Sequence, residues 1–316
     1  MQNDKNVGVI DNLNKDYKGF KLDVVGKRKI FFIIIGVVFL CGMISFFVRG
    51  FNWDIDFVGG AIMEYNLNKD VIDEDLNKIT SLVSDTIGFA PSSVVKSGNP
   101  ARQVVIKTRD INSEQRDAVF TAVSSEYNLT AADIYMSNNT NPTVGKALAQ
   151  KTIIAVLLAV VLMLTYIVIR FDFFSGLAAV LCLIHDMFVM LTFYSLLQIP
   201  MDMNVIAAFL TILGYSINAT IIIFDRIREN VKLKKGNGET FGQIVNQSTS
   251  QTLARSINTT ITTLIVIICV YIVGVPSIKA FVLPLIIGIS AGLFSSICIA
   301  GPLWDLIKPQ KAKIKQ

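Results

Sequence analysis

Histidine occurs once in this chain and cysteine four times, and those scarcities remove several kinds of chemistry. Cys41, Cys182, Cys269 and Cys298 all lie inside long apolar runs. There they behave as small apolar residues, not as a disulfide framework or a metal site. The single histidine, His185, has no G-x-S-G nucleophile motif beside it, so a serine-type intramembrane protease is not indicated. Asp186 is the only aspartate well inside an apolar run, and an aspartyl protease needs two opposed ones. The expectation is a protein that is not an enzyme and takes no metal and no cofactor. A cleaved signal peptide is not expected either. The first apolar run follows a charged segment, 1–29, and no A-x-A site comes after it, which reads as a retained anchor.

What the chain has in abundance is apolar sequence. Hydrophobic residues make up 52% and the mean hydropathy is +0.55, too high for an ordinary water-facing surface. Apolar runs occur at Ile30–Val48, Ile153–Ile169, Leu177–Leu197, Val205–Phe224, Ile257–Val273 and Ala280–Ala300. At about 1.5 Å per residue each can cross a hydrocarbon core of about 30 Å with help from flanking residues. The fold class expected is an α-helical polytopic membrane protein with six transmembrane helices.

Basic residues set the orientation. Lys27, Arg28 and Lys29 precede the first run, Arg170 separates the second and third, Arg226, Arg228 and Lys232 follow the fourth, and Lys308, Lys311, Lys313 and Lys315 follow the sixth. The opposite loops, 198–204 and 274–279, hold one basic residue, Lys279. The positive-inside rule puts both termini in the cytoplasm. The net charge of +5 is then a topology signal and a contact for anionic lipids, and no nucleic acid is needed to explain it. The expected layout is a cytoplasmic segment 1–29, a first span 30–48, an extracytoplasmic domain with its linker 49–151, a bundle of the remaining spans 152–303, and a basic cytoplasmic tail 304–316.

The stretch between the first two spans alternates element types. Ala61–Leu67 reads as a strand and Asp73–Ile87 as a helix with Leu76, Ile79, Leu82 and Val83 on one face. Ser93–Lys96 and Gln103–Thr108 read as a strand pair joined through a turn at Gly98, Asn99 and Pro100. Ser113–Tyr127 reads as a second helix with Ser113 as N-cap, and Asp133–Met136 as a last strand. The order β-α-β-β-α-β is that of a ferredoxin-like α+β module, a motif that hosts many functions.

Ionisable groups inside spans are costly and become functional candidates. His185 and Asp186 read either as a proton relay or as a buried pair holding helices together. In the fourth span Thr211, Gly214, Tyr215 and Asn218 share one face at i, i+3, i+4 and i+7. Gly288 and Gly292 form a GxxxG, read as helix packing.

GYSINATIIIFDRIREN at Gly214–Asn230 resembles the fourth-span signature of the SecF family of bacterial protein-export subunits. DFVGG at Asp56–Gly60 is similar to that family's Asp-x-x-Gly-Gly motif after the first span. NPTVGKAL at Asn141–Leu148, LIHD at Leu183–Asp186 and QTLARSINTT at Gln251–Thr260 are similar to its landmarks before the second span, in the third, and before the fifth. The resemblance implies a subunit acting with SecD beside the SecYEG channel, with YajC as a further partner. It also implies cation flow through the membrane half that makes export of the translocating preprotein directional, in the inner membrane and within the resistance-nodulation-division superfamily.

One departure bears on mechanism. Where the family carries Asn-Asp-Thr, this chain has Asn218, Ala219 and Thr220, so the fourth-span acid is missing. Alanine neither titrates nor hydrogen-bonds, and an amide does not titrate at these pH values. Asp186 lies within roughly 6 Å of the depth of Ala219, so His185 and Asp186 could serve any cation path, or an acid on SecD could carry it. Arg255 matches the family's functional arginine, with a positive-inside anchor as the plainer reading. Asp225 and Arg226 read as an interfacial pair ending the fourth helix, and Asp56, Gly59 and Gly60 as a hinge or a simple turn. Half of a small-molecule exporter is one rival function, disfavoured by the small external domain, and a non-transporting scaffold is the other.

Overall fold

The computed structural model describes residues 22–98, 100–140, 142–170, 172–233, 238–274 and 276–308, with the backbone alone at 138–140, 142–149, 152, 164, 168, 170, 276 and 277. A helix α1, Arg28–Arg49, leads into a single helical turn α2, Ile55–Val58. A small α+β unit follows: β1 Gly60–Asn66, α3 Asp73–Ile87, β2 Ser93–Ser97, β3 Gln103–Thr108, α4 Ser113–Tyr127 and β4 Ile134–Thr140. The rest is helical: α5 Pro142–Arg170, α6 Phe173–Leu197, α7 Asn204–Leu233, α8 Phe241–Val273, α9 Pro276–Ser295, a π-helical turn Ser296–Ala300, and α10 Gly301–Ile307.

In the α+β unit the strands form one antiparallel sheet in the order β2-β3-β1-β4. Alternation along β1 buries Ala61, Met63 and Tyr65 against Ile79 and Val83 of α3 and Val119 and Val123 of α4, as a half-buried strand requires. The element order is the one expected, with two local corrections. The N-cap of α4 is Asn112, not Ser113: its side chain accepts from Gln115 N at 2.7 Å while Gln115 Oε1 accepts from Asn112 N at 3.1 Å. That reciprocal box satisfies two amides that Ser113, already helical, could not serve. The last strand runs to Thr140, because its whole length pairs with β1 across a bulge at Glu64 and Tyr65.

Among the described residues, five helical stretches are long and apolar enough to cross a membrane: α1, α6, α7, α8 and Ile278–Ile307, while α5 carries a shorter apolar stretch, Ile153–Ile167. Much of their outer surface is apolar, with Phe47 77% and Val273 84% exposed, a surface suited to lipid and not to water. This is a polytopic membrane protein built mostly of helices.

Several helices outrun their apolar runs. The helix α7 continues past Phe224 to Leu233, so Asp225 and Arg226 lie within it and do not end it. Arg226 donates from Nε to Gln251 Oε1 at 2.6 Å and pairs with Glu229 at 2.7 Å. The helix α8 begins at Phe241, sixteen residues before the apolar run (257 − 241), behind a Thr240–Gln243 capping box. The expected tail from 304 begins as helix: Trp304 is 2% exposed between Phe224 and Phe241. Lys308 lies 4.2 Å over the Phe241 ring, and Lys311, Lys313 and Lys315 lie outside the described residues. At the other end Arg28 pairs with Asp305 at 3.3 Å.

Helix packing in the bundle turns on the two glycines of α9. A Cβ at Gly288 would fall 2.2 Å from Ile212 Cδ1, and one at Gly292 3.1 Å from Ser216 Cβ. Small residues there let α9 approach α7 closely, and that approach brings Ser295 to the centre of the bundle.

Candidate functional site

The carboxylate of Asp186, 0% exposed, ties three helices together. Its Oδ1 accepts from His185 Nδ1 at 2.9 Å on its own helix α6. Its Oδ2 accepts from Ser216 Oγ of α7 at 2.5 Å and from Ser295 Oγ of α9 at 2.9 Å. One turn further, Thr220 and Ser296 share a hydrogen bond of 3.0 Å at the start of the π-helical turn. His185, 7% exposed, sits near the rings of Phe39 and Phe294. Three donors around one buried carboxylate satisfy its charge in place. Ser216 and Ser295 were not picked out by sequence reasoning, since serine in an apolar helix gives no hint of which acid it meets.

Depth and direction part company at this point. Ser216 lies one turn before Ala219, so Asp186 shares a layer with position 219. Residues 216 and 218 are about 200° apart around a helix, so Asn218 points to the opposite side. Asn218 is exposed, as are Thr211 and Gly214, while Ala219 is intermediate. Tyr215 bridges to α8, donating to Thr259 O at 3.1 Å. On α8 the residues Arg255, Asn258 and Thr262 are exposed as well. Arg255 forms no ion pair among the described residues. The seam of α7 and α8 therefore presents a polar outer face at the depth of the spans. The structure brings His185 to Asp186 but does not bring either to Asn218 or Arg255.

The Asp-x-x-Gly-Gly segment forms the corner between α1 and the sheet. Asp56 Oδ2 accepts from Met203 N at 3.1 Å, in the loop between α6 and α7. Backbone bonds Asp54 N to Met201 O (3.1 Å) and Met201 N to Asn52 O (2.8 Å) clamp the same loop. Gly59 has φ 78° and Gly60 φ 157°, and a Cβ at Gly60 would lie 2.2 Å from the Thr108 carbonyl oxygen, so only glycine fits. Asp54, 3% exposed, caps α2 at Ile55 N (2.8 Å) and pairs with Lys107 of β3. These contacts hold the corner against the α6–α7 loop at one end and the sheet at the other. Asp54 and Lys107 are further residues that sequence reasoning missed.

Residues 120–310 match the family described as "Protein export membrane protein SecD/SecF, C-terminal", and residues 44–71 match "SecD/SecF GG Motif". The chain is 37% identical over 291 residues to the protein translocase subunit SecF of Acidaminococcus fermentans, covering 90% of this chain and 96% of that one. It is 36% identical over 297 residues to the protein translocase subunit SecDF of Bacillus subtilis, covering 93% of this chain and 39% of that longer one. Among solved structures it is similar to SecDF, a translocon-associated membrane protein from Thermus thermophilus, with a TM-score of 0.74 and 31% identity over 90% of this chain and 38% of that one. The chain belongs to the SecD/SecF family of protein-export membrane proteins.

Proposed function

We propose that this protein is an accessory subunit of the bacterial Sec protein-export machinery, acting with SecD beside the SecYEG channel to drive late translocation of preproteins with a cation gradient. The observation that carries the reading is the polar outer face of α7 and α8 inside the span depth. Asn218, Arg255, Asn258 and Thr262 exposed to lipid would be costly, and a partner's helices would cover them. The relatives named SecDF support SecD as that partner. YajC and anionic lipids are further expected contacts.

In this reading α5 is the second of six spans, residues 1–29 and 304–316 are cytoplasmic, and the membrane is the inner membrane. The domain and linker at 49–151 are extracytoplasmic, and the sheet order β2-β3-β1-β4, with α3 and α4 both packed on the buried face of β1, supports a ferredoxin-like module. The bundle spans 152–303. Asp186 serves as a knot, because its partners all lie within the bundle, facing away from Asn218. The titrating acid of the cation path then comes from SecD, with Arg255 and Asn218 beside it in place of the acid missing at Ala219. The same observation favours a second reading, a scaffold subunit through which no cation passes.

Two experiments test this. Asn218→Trp should abolish co-purification with tagged SecD while Val37→Trp on the lipid-facing side of α1 leaves it intact; retention by both variants would refute the interface. Export from sealed vesicles containing both subunits should fall when the cation gradient is collapsed at constant ATPase activity, and indifference to the gradient would select the scaffold reading.

A further inference from the structure

The corner between the bundle and the sheet gathers more negative charge than its packing requires. The loop between α6 and α7 carries Asp202, whose carboxylate accepts from Asn204 N at 3.1 Å and from Asn204 Nδ2 at 2.7 Å. Asp56 reaches that loop at Met203 N, and Asp54 reaches it through its own amide at Met201 O. From β3, Lys107 is the cation within electrostatic reach of Asp202, and it already pairs with Asp54. From α6 comes the Tyr194 hydroxyl, buried with no hydrogen-bond partner among the described residues and within electrostatic reach of Asp202. Asp202 thus lies within electrostatic reach of two further carboxylates, Asp54 and Asp56, with Lys107 as the ammonium among them, already paired with Asp54.

Such an arrangement resists carrying all of its negative charges at once. Burial pushes the Asp202 carboxyl above its usual range, and the charges of Asp54 and Asp56 add to that effect. The hydrogen bond from Asn204 and the charge of Lys107 oppose it without cancelling it. With the corner open, Asp202 would be hydrated and free of those neighbours.

We propose that Asp202 is a proton-binding site whose occupancy sets how tightly the four-stranded domain is held against the membrane half. The closed corner binds the proton more tightly than the open one, so by linkage the proton favours closure. Closure is strongest near and below the ordinary aspartate value of about 4. It weakens as pH rises through the raised value of the closed state, and levels off above it. If the four-stranded domain lies outside the cytoplasm, a point that rests on the proposed orientation, an acidic exterior grips the domain and a neutral one loosens it. The bond that changes is the Asp202 O–H alone, and the proton comes from and returns to water.

The test is amide hydrogen exchange on the full chain in lipid nanodiscs, where both faces see one pH and orientation plays no part. The amides of Asp54, Met201 and Met203 report the corner, and those of Met63 and Ile106 in the sheet report the fold. After normalisation to unstructured-chain rates, protection at the corner should fall severalfold between about pH 4 and pH 7 while sheet protection stays high. Asp202→Asn, which keeps the acceptor for Asn204 without the charge, should hold the acid-side protection across the range. Asp202→Glu should keep the fall with a displaced midpoint. Corner protection that is flat in the parent protein, or a fall that persists in Asp202→Asn, would overturn the proposal. Labelling Lys96→Cys with a membrane-impermeant thiol reagent in whole cells tests the orientation separately.

Discussion

Replacing Asp186 distinguishes a structural knot from a proton carrier. Asp186→Ala removes the one acceptor that serves His185, Ser216 and Ser295. Ser295 already reaches Gly292 O at 3.2 Å, and a helical serine can turn to the carbonyl four residues back. His185 is therefore the group left without a partner. An orphaned buried donor costs about 1–3 kcal/mol, and the space left at a fully buried site adds about 1–2 kcal/mol. The expected loss is about 2–5 kcal/mol. Asp186→Asn behaves differently. Its oxygen can face both serines while its amide donates to a His185 ring whose proton has moved to Nε2. The three contacts survive as neutral hydrogen bonds, and the loss is about 1 kcal/mol. Denaturant unfolding in mixed micelles, followed by Trp304 fluorescence in a Trp53→Phe background, reads the stability of this core. Export from sealed vesicles containing SecD reads the function. Asp186→Asn is expected to keep the gradient response and Asp186→Ala to lose stability first. A folded Asp186→Asn of parental stability that no longer responds to the gradient would refute the reasoning and return the cation path to α6.

Gly60→Ala should destabilise the corner by about 2–3 kcal/mol, from positive φ and the Thr108 oxygen in its way, seen as a lower unfolding midpoint reported by Trp53. Lys107→Met leaves the Asp54 carboxylate, 2% exposed at its side chain, without its cation. It should cost about 2–4 kcal/mol in the same assay, with most recovered in Lys107→Met with Asp54→Asn. Gly288→Ala forces a methyl against Ile212 and should cost about 1–3 kcal/mol, relieved by adding Ile212→Val. At Asp75, burial would raise the carboxyl, but hydrogen bonds from Lys69, the Ile72 amide and Tyr127, with the Lys69 charge, outweigh it and hold it below its usual range. Because its folded value is depressed, its contribution is present above about pH 4 and is lost as pH falls through that lower value. Asp75→Asn should flatten that acid limb in an unfolding series, and an unchanged limb would count against the assignment.

How much was legible can be followed along the chain. The helix 73–87 was read from its apolar spacing with both ends correct, because local hydrogen bonds and one amphipathic face decide such an element. Ends that depend on polar sequence were missed. The extensions of α7 beyond Phe224 and of α8 before Ile257 carry no apolar run to mark them, and are held by contacts such as Arg226 to Gln251 and Asn230 to Ser248 at 2.7 Å. His185 and Asp186 could be singled out because a charge inside an apolar run is conspicuous. Their direction could not, since spacing along one helix says nothing about which neighbour it faces.

By itself the sequence determined the membrane class and the order of the elements, which rest on composition and short-range periodicity, while its short motifs carried the resemblance to the family. Only the tertiary structure decided that Asp186 turns inward to Ser216 and Ser295, away from Asn218. It also decided that Asp54 and Asp56, Lys107, and Asp202, from three distant parts of the chain, share one corner. Those pairings depend on how whole helices and the sheet are rotated and stacked, a property of close packing between distant segments that no local pattern encodes.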